Sequence, residues 1–344
     1  YSSGSTGRPK AAVHCHRDMW VCNQSYARQI LQVTEQDRLY SASKLYFAYG
    51  LGNGSYFALA NGASVVLVPQ KAEPVLVLDT LERSGATLFF GVPTLYNAML
   101  QVSEDRRWDL SRVRAAVSAG EPLPAEIYTR FRERFGIEIL DGIGSTEALH
   151  IYIANWPGQS RPGVTGRVVP GYSVKIVDEA GLPVPPGTIG DLYVKGDSLS
   201  PYYWNQPEKT RQSMVGEWFR TGDKFFQDDE GYLVYCGRSD DMIKVGGIWV
   251  SPIEVENVLI EHPTVLEAAV VAKVGPDGLA RPIAYVVLAG EKTGSPEMAD
   301  ELQEFVKSRL AHYKYPREIH FVDALPKTAS GKIQRFRLRQ ALEV

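Results

Sequence analysis

The sequence has few cysteines, no excess of one charge and no long apolar run, and each absence excludes a class of protein. Three cysteines occur among 344 residues. They form no CxxC pair and leave one thiol over, which favours a reducing, cytoplasmic compartment over secretion. A net charge of −3 argues against a dedicated nucleic-acid binder, whose phosphate contacts need an excess of lysine and arginine. Because no apolar run is long enough to cross a bilayer, we expect no membrane segment.

What remains is ordinary globular composition, with 44% hydrophobic and 22% charged residues. A chain of this length can build a large core and two domains. The histidines outside the motifs below have no cysteine or histidine companions at metal-ligand spacing, so we assign no zinc site. No feature of the sequence indicates an oligomeric state.

The first half of the chain alternates short apolar runs with helical patterns, which is typical of α/β architecture with a largely parallel sheet. The helix of residues 124–135 stands between two such runs and predicts a strand–helix–strand unit. The predicted strands are Ser64–Val68, Thr87–Phe90, Ala115–Ser118 and Ile137–Leu140, and the predicted helices are Arg17–Leu31 and Pro124–Phe135.

The sequence pattern changes twice further along the chain. Residues 163–237 contain strand-like runs separated by Gly- and Pro-rich turns, which predict a β-rich subdomain. Residues 240–344 mix helical and strand patterns and predict a small α+β domain. We therefore expect an N-terminal domain of residues 1–239, which includes the β-rich part, and a C-terminal domain of residues 240–344.

The chain opens on a loop that is rich in small and hydroxyl-bearing residues, Tyr1-Ser2-Ser3-Gly4-Ser5-Thr6-Gly7-Arg8-Pro9-Lys10. Glycine allows a tight turn and close approach of the backbone to an anion, hydroxyls donate to phosphate oxygens, and Lys10 can neutralise outer phosphates. The loop is neither a Walker A loop nor a GxGxxG dinucleotide motif. A plain polar surface loop is the alternative.

Four further motifs follow in order: Asp141-Gly142-Ile143-Gly144-Ser145-Thr146-Glu147, Trp218-Phe219-Arg220-Thr221-Gly222-Asp223, Gly237-Arg238-Ser239-Asp240-Asp241-Met242-Ile243-Lys244, and Pro326-Lys327-Thr328-Ala329-Ser330-Gly331-Lys332-Ile333-Gln334-Arg335. Together with the opening loop they resemble the signatures of the adenylate-forming superfamily, which includes acyl- and aryl-CoA ligases, firefly-type luciferases and peptide-synthetase adenylation domains. The five motifs extend over essentially the whole chain. The resemblance implies a large N-terminal domain with a small, mobile C-terminal domain.

The resemblance also implies a reaction in which a carboxylate attacks the α-phosphate of ATP to give acyl-AMP and pyrophosphate. In this reading the loop binds phosphate through Ser2, Ser3, Gly4, Ser5, Thr6, Gly7 and Lys10. Thr146 bonds phosphate, Glu147 holds Mg²⁺, and Lys332 bridges the two anions that otherwise repel each other. Without the other motifs, Thr146-Glu147 is more typical of a helix start, and Lys332 of a solvated surface lysine.

For the nucleoside, the resemblance implies that Asp223 and Arg238 contact the ribose or phosphate. It also implies that adenine lies against the backbone of Gly120-Glu121-Pro122 and the motif that begins at Asp141. Ile143 departs from the family, which commonly has an aromatic residue there. Asp240 stands where the family has a hinge. Rotation about it withdraws Lys332 and admits CoA past Gly246 and Gly247. These two glycines also fit a plain hairpin turn.

An aromatic segment, Leu45-Tyr46-Phe47-Ala48-Tyr49-Gly50-Leu51-Gly52-Asn53-Gly54, resembles the benzoate and hydroxybenzoate CoA ligase branch. The resemblance implies an aromatic carboxylic acid substrate. An aromatic wall and a small floor suit a benzoate-sized ring. The residues that would line the acyl site are Ala48, Tyr49, Gly144, His150 and Ile151. On residue types alone, residues 46–49 and His150 are equally typical of a protein core.

Two alternatives stay open at this point. An adenylation domain that loads a carrier protein would use the same motifs. The phosphate loop also begins at the first residue, whereas such loops normally follow an anchoring strand. We therefore expect an incomplete N-terminal domain, and a chain that is unstable or inactive if made alone. The second alternative is thus a ligand-binding fragment without activity.

Overall fold

A computed structural model describes residues 1–2, 9–246, 248–275, 279–290, 292–328 and 332–342. The chain forms two compact units. The first comprises Tyr1–Thr221 and Phe226–Val234, and the second comprises Gly222–Phe225 and Tyr235–Val344. The predicted division into domains of residues 1–239 and 240–344 stays a prediction.

The first unit is built on a seven-stranded sheet in the order β2-β1-β3-β4-β5-β6-β7. The first five strands pair in parallel, and β6 and β7 add antiparallel. Every residue of β3 and β4 is buried, as expected for strands covered on both faces. The strands are β1 (Arg38–Ser41), β2 (Ser64–Val66), β3 (Leu88–Gly91), β4 (Ala115–Ser118), β5 (Ile139–Gly144), β6 (Ile151–Ala154) and β7 (Arg167–Val168).

Helices connect these strands, and the predicted α/β class is confirmed. The α-helices are α1 (His16–Cys22), α2 (Ala48–Leu51), α3 (Phe57–Asn61), α4 (Pro74–Ser84), α5 (Pro93–Leu100) and α6 (Ala125–Phe135). The single helix predicted over residues 17–31 is in fact two segments, because α1 continues as a π-helix over Asn23–Ile30. A second π-helix, Gly52–Tyr56, joins α2 to α3.

The predicted β-rich region is a five-stranded sheet in the order β10-β11-β9-β8, with β12 paired to β11. One short helix, α7 (Pro207–Ser213), interrupts it. The sequence did not predict this helix, although Pro207 occupies the first turn, where proline is favoured. The strands are β8 (Tyr172–Val177), β9 (Gly190–Gly196), β10 (Met214–Val215), β11 (Trp218–Gln227) and β12 (Leu233–Arg238).

The second unit has the predicted α+β character. A hairpin (β13–β14) precedes a three-stranded sheet in the order β15-β16-β17, which has one apolar cluster around Val270, Ala284 and Leu302 and another around Val271, Tyr285 and Leu338. The strands are β13 (Ile243–Val245), β14 (Ile248–Val250), β15 (Val265–Val274), β16 (Ala280–Leu288) and β17 (Glu318–Phe321). The helices are α8 (Pro252–Ile260), α9 (Pro296–Lys307), a 3-10 turn (His312–Lys314) and α10 (Arg335–Ala341).

No helix in the described part of the chain combines the length and the apolar character that crossing a bilayer requires.

Candidate active site

The opening loop is closed at its base. The Ser2 N–H donates to the Lys10 carbonyl oxygen (2.9 Å), and the Lys10 N–H donates to the Ser2 carbonyl oxygen (3.0 Å). The predicted phosphate ligands Ser3, Gly4, Ser5, Thr6 and Gly7 lie outside the described residues. The structure therefore defines where the loop starts and ends, and it places Lys10 at one end.

A short strand pairing brings Lys10 beside a tyrosine 193 residues away. Ala12 forms an antiparallel bridge with Tyr203, and the Trp204 N–H donates to the Ala11 carbonyl oxygen (2.8 Å). Lys10 Nζ then lies 2.8 Å from the Tyr203 hydroxyl oxygen, which accepts a hydrogen bond from it. The sequence analysis missed Tyr203. The run Tyr202-Tyr203-Trp204, between predicted strands of a β-rich region, is the only signal that could have pointed to it.

Lys10, Glu147 and Tyr203 form a compact charged cluster. Lys10 Nζ lies 2.7 Å from Glu147 Oε1, and the Tyr203 hydroxyl donates to the same oxygen at 2.6 Å. Glu147 and Tyr203 are only 4% and 1% exposed. Burial alone would raise the pKa of Glu147, but Lys10 and Tyr203 stabilise the carboxylate and the net effect is a lowered pKa. Glu147 is therefore ionised at neutral pH.

The segment that carries Thr146 and Glu147 is a turn rather than a helix, so the helix-start interpretation was wrong. Three consecutive backbone carbonyl groups of this turn each accept a hydrogen bond from another part of the chain. The Thr146 oxygen accepts from His14 Nε2 (2.7 Å), the Glu147 oxygen from the Ser200 N–H (2.7 Å), and the Ala148 oxygen from the Ser198 hydroxyl (2.7 Å).

The turn is thus fixed before any ligand arrives, as catalytic groups require. Its last residue before His150, Leu149, has a φ of 66°, a left-handed conformation that a leucine seldom adopts. The half-buried side chain of Thr146 lies at the start of the turn.

Glu147 also fits the predicted magnesium role. An ionised carboxylate is the ligand type that Mg²⁺ prefers, and this ion is usually bound by one or two carboxylates together with substrate phosphates. Within the described residues, no group of three or more His, Cys, Asp and Glu side chains comes together as a metal cluster.

His150 follows the same turn and is surrounded by aromatic rings. It is 3% exposed, and its ring centroid lies 5.3 Å from Tyr26, 5.8 Å from Tyr49 and 4.5 Å from Phe57. Its Nε2–H donates to Asn53 Oδ1 at 3.1 Å. Burial lowers the pKa of His150 to about 3, so the ring is neutral at physiological pH. Tyr26 and Asn53 come from the two π-helical segments, which therefore meet at this histidine.

Tyr49 contacts the His150 ring on one side and hydrogen-bonds to the parallel strands β3 and β4 through its hydroxyl. Its hydroxyl lies 3.1 Å from the Val117 carbonyl oxygen at the end of β4 and 3.3 Å from the Gly91 carbonyl oxygen at the end of β3. Ala48, also partly buried, begins the same helix. Tyr46, by contrast, is 76% exposed, so a place in the core is wrong for it; its ring lies tilted against Phe47, with the centroids 4.6 Å apart, just before the helix begins.

Gly144 and the buried Ile151 are paired neighbours of β5 and β6. A Cβ atom on Gly144 would lie 2.4 Å from the His150 carbonyl oxygen, so the backbone alone explains this glycine. The structure thus brings Tyr49, Gly144, His150 and Ile151 together through shared contacts. Their predicted part in acid binding stays a prediction.

The candidate adenine site combines Asp141, within β5, with the segment that follows β4. Asp141 is 7% exposed, and burial raises its pKa well above the usual value, opposed by backbone N–H groups that include Leu123. Its Oδ1 atom has no hydrogen-bond partner in the protein. Leu123 directly follows the predicted Gly120-Glu121-Pro122 segment, where Gly120 has a φ of 98°. A buried acceptor therefore stands beside the backbone predicted to face the base.

The remaining candidates belong to the second unit. Arg238 Nη1 lies 2.9 Å from Asp223 Oδ1, and Asp223 is 6% exposed. Asp240 is exposed and follows this pair along the chain. Gly246, with a φ of 56°, occupies the β13–β14 turn, which agrees with a hairpin. Gly247 lies outside the described residues. Lys332 is exposed.

The chain belongs to the family of AMP-binding enzymes. Residues 1–204 match that family, and residues 254–332 match the AMP-binding enzyme C-terminal domain. It is 51% identical to benzoate–CoA ligase of Thauera aromatica and 47% identical to 4-hydroxybenzoate–CoA/benzoate–CoA ligase of Rhodopseudomonas palustris, in both cases over 99% of the chain. The chain spans 65% and 63% of the length of these relatives.

The similar solved structures include two aryl-CoA ligases. A benzoate CoA ligase from Burkholderia xenovorans LB400 has a TM-score of 0.90 at 50% identity, covering 97% of this chain and 67% of that one. An anthranilate CoA ligase in complex with anthranoyl-AMP has a TM-score of 0.96 at 44% identity, covering 99% of this chain and 66% of that one.

Proposed function

We propose that the protein activates an aromatic carboxylic acid with ATP and then transfers the acyl group to CoA. One observation carries this proposal. The turn between β5 and β6 holds the ionised Glu147 beside Lys10, and three residues later it holds the neutral His150 among aromatic rings. A single short segment therefore joins a charge cluster at the base of the opening loop to a site suited to a flat, apolar ring.

In the first half-reaction a carboxylate oxygen bonds to the α-phosphorus of ATP. The bond from that phosphorus to its bridging oxygen breaks, and pyrophosphate leaves with the electron pair. Lys10 and the opening loop bind the outer phosphates, and Thr146 bonds a phosphate oxygen. Lys332 places a cation between the acid and the α-phosphate. Glu147 would hold Mg²⁺, which would supply positive charge to neutralise the phosphates.

In the second half-reaction the sulfur of CoA bonds to the acyl carbon, AMP leaves with the electron pair, and the thiol proton passes to solvent. Asp240 is the proposed hinge, and Gly246 with Gly247 leaves room for the thiol arm. Asp223 and Arg238 bind the ribose, and Asp141 with the Gly120–Pro122 backbone binds adenine.

The acid is proposed to be benzoate-sized, as the names of both ligase relatives suggest. Ala48, Tyr49, Gly144, His150 and Ile151 line its site. A neutral histidine suits an apolar ring, because a cation would have to be desolvated beside it. All three cysteines are free thiols, and we place the protein in the cytoplasm on that basis.

The test is pyrophosphate release by the purified protein with ATP, Mg²⁺ and a panel of benzoates and fatty acids, with and without CoA. We expect release with benzoates and a thioester product only when CoA is present, and neither in the Lys332→Ala variant. A clear preference for long-chain acids, or no turnover with any aromatic acid, would refute the proposal. Release that CoA leaves unchanged, with no thioester formed, would instead favour a carrier-protein acceptor.

A further inference from the structure

The segment that carries Lys332 is closed at its base like the opening loop. Residues 329–331 lie outside the described part of the chain, but the residues on both sides of them are paired. The Thr328 N–H donates to the Lys332 carbonyl oxygen (2.8 Å), and the Lys332 N–H donates to Thr328 Oγ1 (3.1 Å). An antiparallel bridge joins Lys327 and Ile333. The backbone position of Lys332 therefore depends on whatever holds this base in place.

A buried ion pair holds its C-terminal side. Arg335 Nη2 lies 2.8 Å and 2.7 Å from the two carboxylate oxygens of Glu256, and the two side chains are only 17% and 6% exposed. Glu256 Oε1 also accepts a hydrogen bond from the Val270 N–H at 2.7 Å. Glu256 belongs to α8 and Val270 to β15. One carboxylate thus ties the start of α10 to a helix and a strand of the second unit.

The N-terminal side is held more weakly. Lys327 Nζ lies 2.6 Å from Glu267 Oε1, but this pair is 28% and 23% exposed and is screened by solvent and salt. Leu325 also packs into the apolar cluster around Val271, Tyr285 and Leu338. Removing one partner from the better buried Arg335–Glu256 pair leaves an uncompensated charge inside the protein. The base of the loop should therefore be most sensitive to this pair.

We propose that Arg335, acting through Glu256, is a positioning residue that holds Lys332 in place for the adenylation step. The inference rests on the proposed function, because the part of Lys332 in that step is itself proposed. Arg335 Nη2 contacts both oxygens of one buried carboxylate, and such charge-assisted hydrogen bonds are stronger than neutral ones, so the pair holds the start of α10 in place. Only the half-reaction that uses Lys332 depends on this placement.

The experiment measures the two half-reactions separately in the Arg335→Met variant. Adenylation is followed by pyrophosphate release without thiol, and thioester formation starts from supplied acyl-adenylate and CoA. Adenylation should fall about 100-fold, the loss that a displacement of ~1 Å in a catalytic group can cause, while thioester formation stays near the wild-type rate. Arg337→Met removes the same charge from an exposed position on α10 and should change neither. Equal losses in both half-reactions would overturn the proposal, as would unchanged adenylation.

Hydrogen–deuterium exchange supplies a readout that needs no turnover. Exchange in a peptide that covers residues 326–334 should rise in Arg335→Met and stay unchanged in Arg337→Met. If the first variant does not fold, Glu256→Gln replaces it, because glutamine keeps the side-chain shape and an acceptor for the Val270 N–H. If the wild type activates no acid, the proposed function fails, and exchange still decides the anchoring. Exchange that is unchanged in both Arg335→Met and Glu256→Gln refutes the anchoring.

Discussion

Replacing Tyr203 with phenylalanine removes one oxygen atom from the centre of the charge cluster. That oxygen donates to Glu147 Oε1 at 2.6 Å and accepts from Lys10 Nζ at 2.8 Å. A hydrogen bond to a charged group contributes about 1.5–3 kcal/mol, and the Lys10–Glu147 pair remains to compensate in part, so the free energy of unfolding should fall by about 2 kcal/mol. For a unit of this size, a loss of about 2 kcal/mol lowers the melting temperature by roughly 4–8 °C.

The assay is thermal unfolding followed by circular dichroism, with Tyr202→Phe as the matched control. Tyr202 is the neighbouring residue and is 42% exposed, so loss of its hydroxyl should alter the melting temperature very little. The pKa of Glu147 is lowered in the folded state, so its contribution is present above the unfolded value of 4.5 and is lost as the pH falls through the folded pKa.

The deficit of Tyr203→Phe should therefore shrink in acid. Equal melting temperatures for Tyr203→Phe and the wild type at neutral pH would contradict the reasoning, and so would a larger effect of Tyr202→Phe.

Three further predictions concern the turn and the strand ends. Because the pKa of His150 is about 3, KM for the acid should stay flat between about pH 5.5 and 8, and a step near the ordinary value of 6.5 would contradict this. Gly144→Ala should destabilise by about 3 kcal/mol in a denaturant melt, because its Cβ meets fixed backbone. Gly54→Ala meets only the end of the exposed Leu45 side chain and should cost far less; equal losses would disprove the argument. Because the pKa of Asp141 is raised in the folded state, the wild type loses stability as the pH rises. Asp141→Asn should therefore melt at a higher temperature than the wild type at about pH 7, and this advantage should shrink toward about pH 4. A lower melting temperature for the variant at neutral pH would refute the reasoning.

The fold could be predicted where a local pattern determines an element. The strand Ala115–Ser118 has the predicted bounds, because a short apolar run between turn residues is buried on both faces of the sheet. The π-helical segment Asn23–Ile30 could not be predicted, because a widened turn keeps the same polar and apolar residues as an α-helix.

The site shows the same division. Lys10 and Glu147 could be singled out because their motifs are contiguous in the sequence. Tyr203 could not, because it reaches them only through the Ala12–Tyr203 bridge, and a pairing between distant segments has no periodic signal. The same holds for Arg335 and Glu256, which lie 79 residues apart and are joined by tertiary folding alone.

The paired base of the opening loop has a consequence for how this region can change. Since Ser2 and Lys10 are hydrogen-bonded to each other, the placement of Lys10 depends on its own strand pairing rather than on the number of residues between the two ends. The entropy of closing a flexible loop grows only with the logarithm of its length, about 0.6 kcal/mol for each doubling. Insertions between these ends should therefore leave Lys10 beside Glu147, whereas Ser2→Pro, which removes one of the two N–H donors at the base, would displace it.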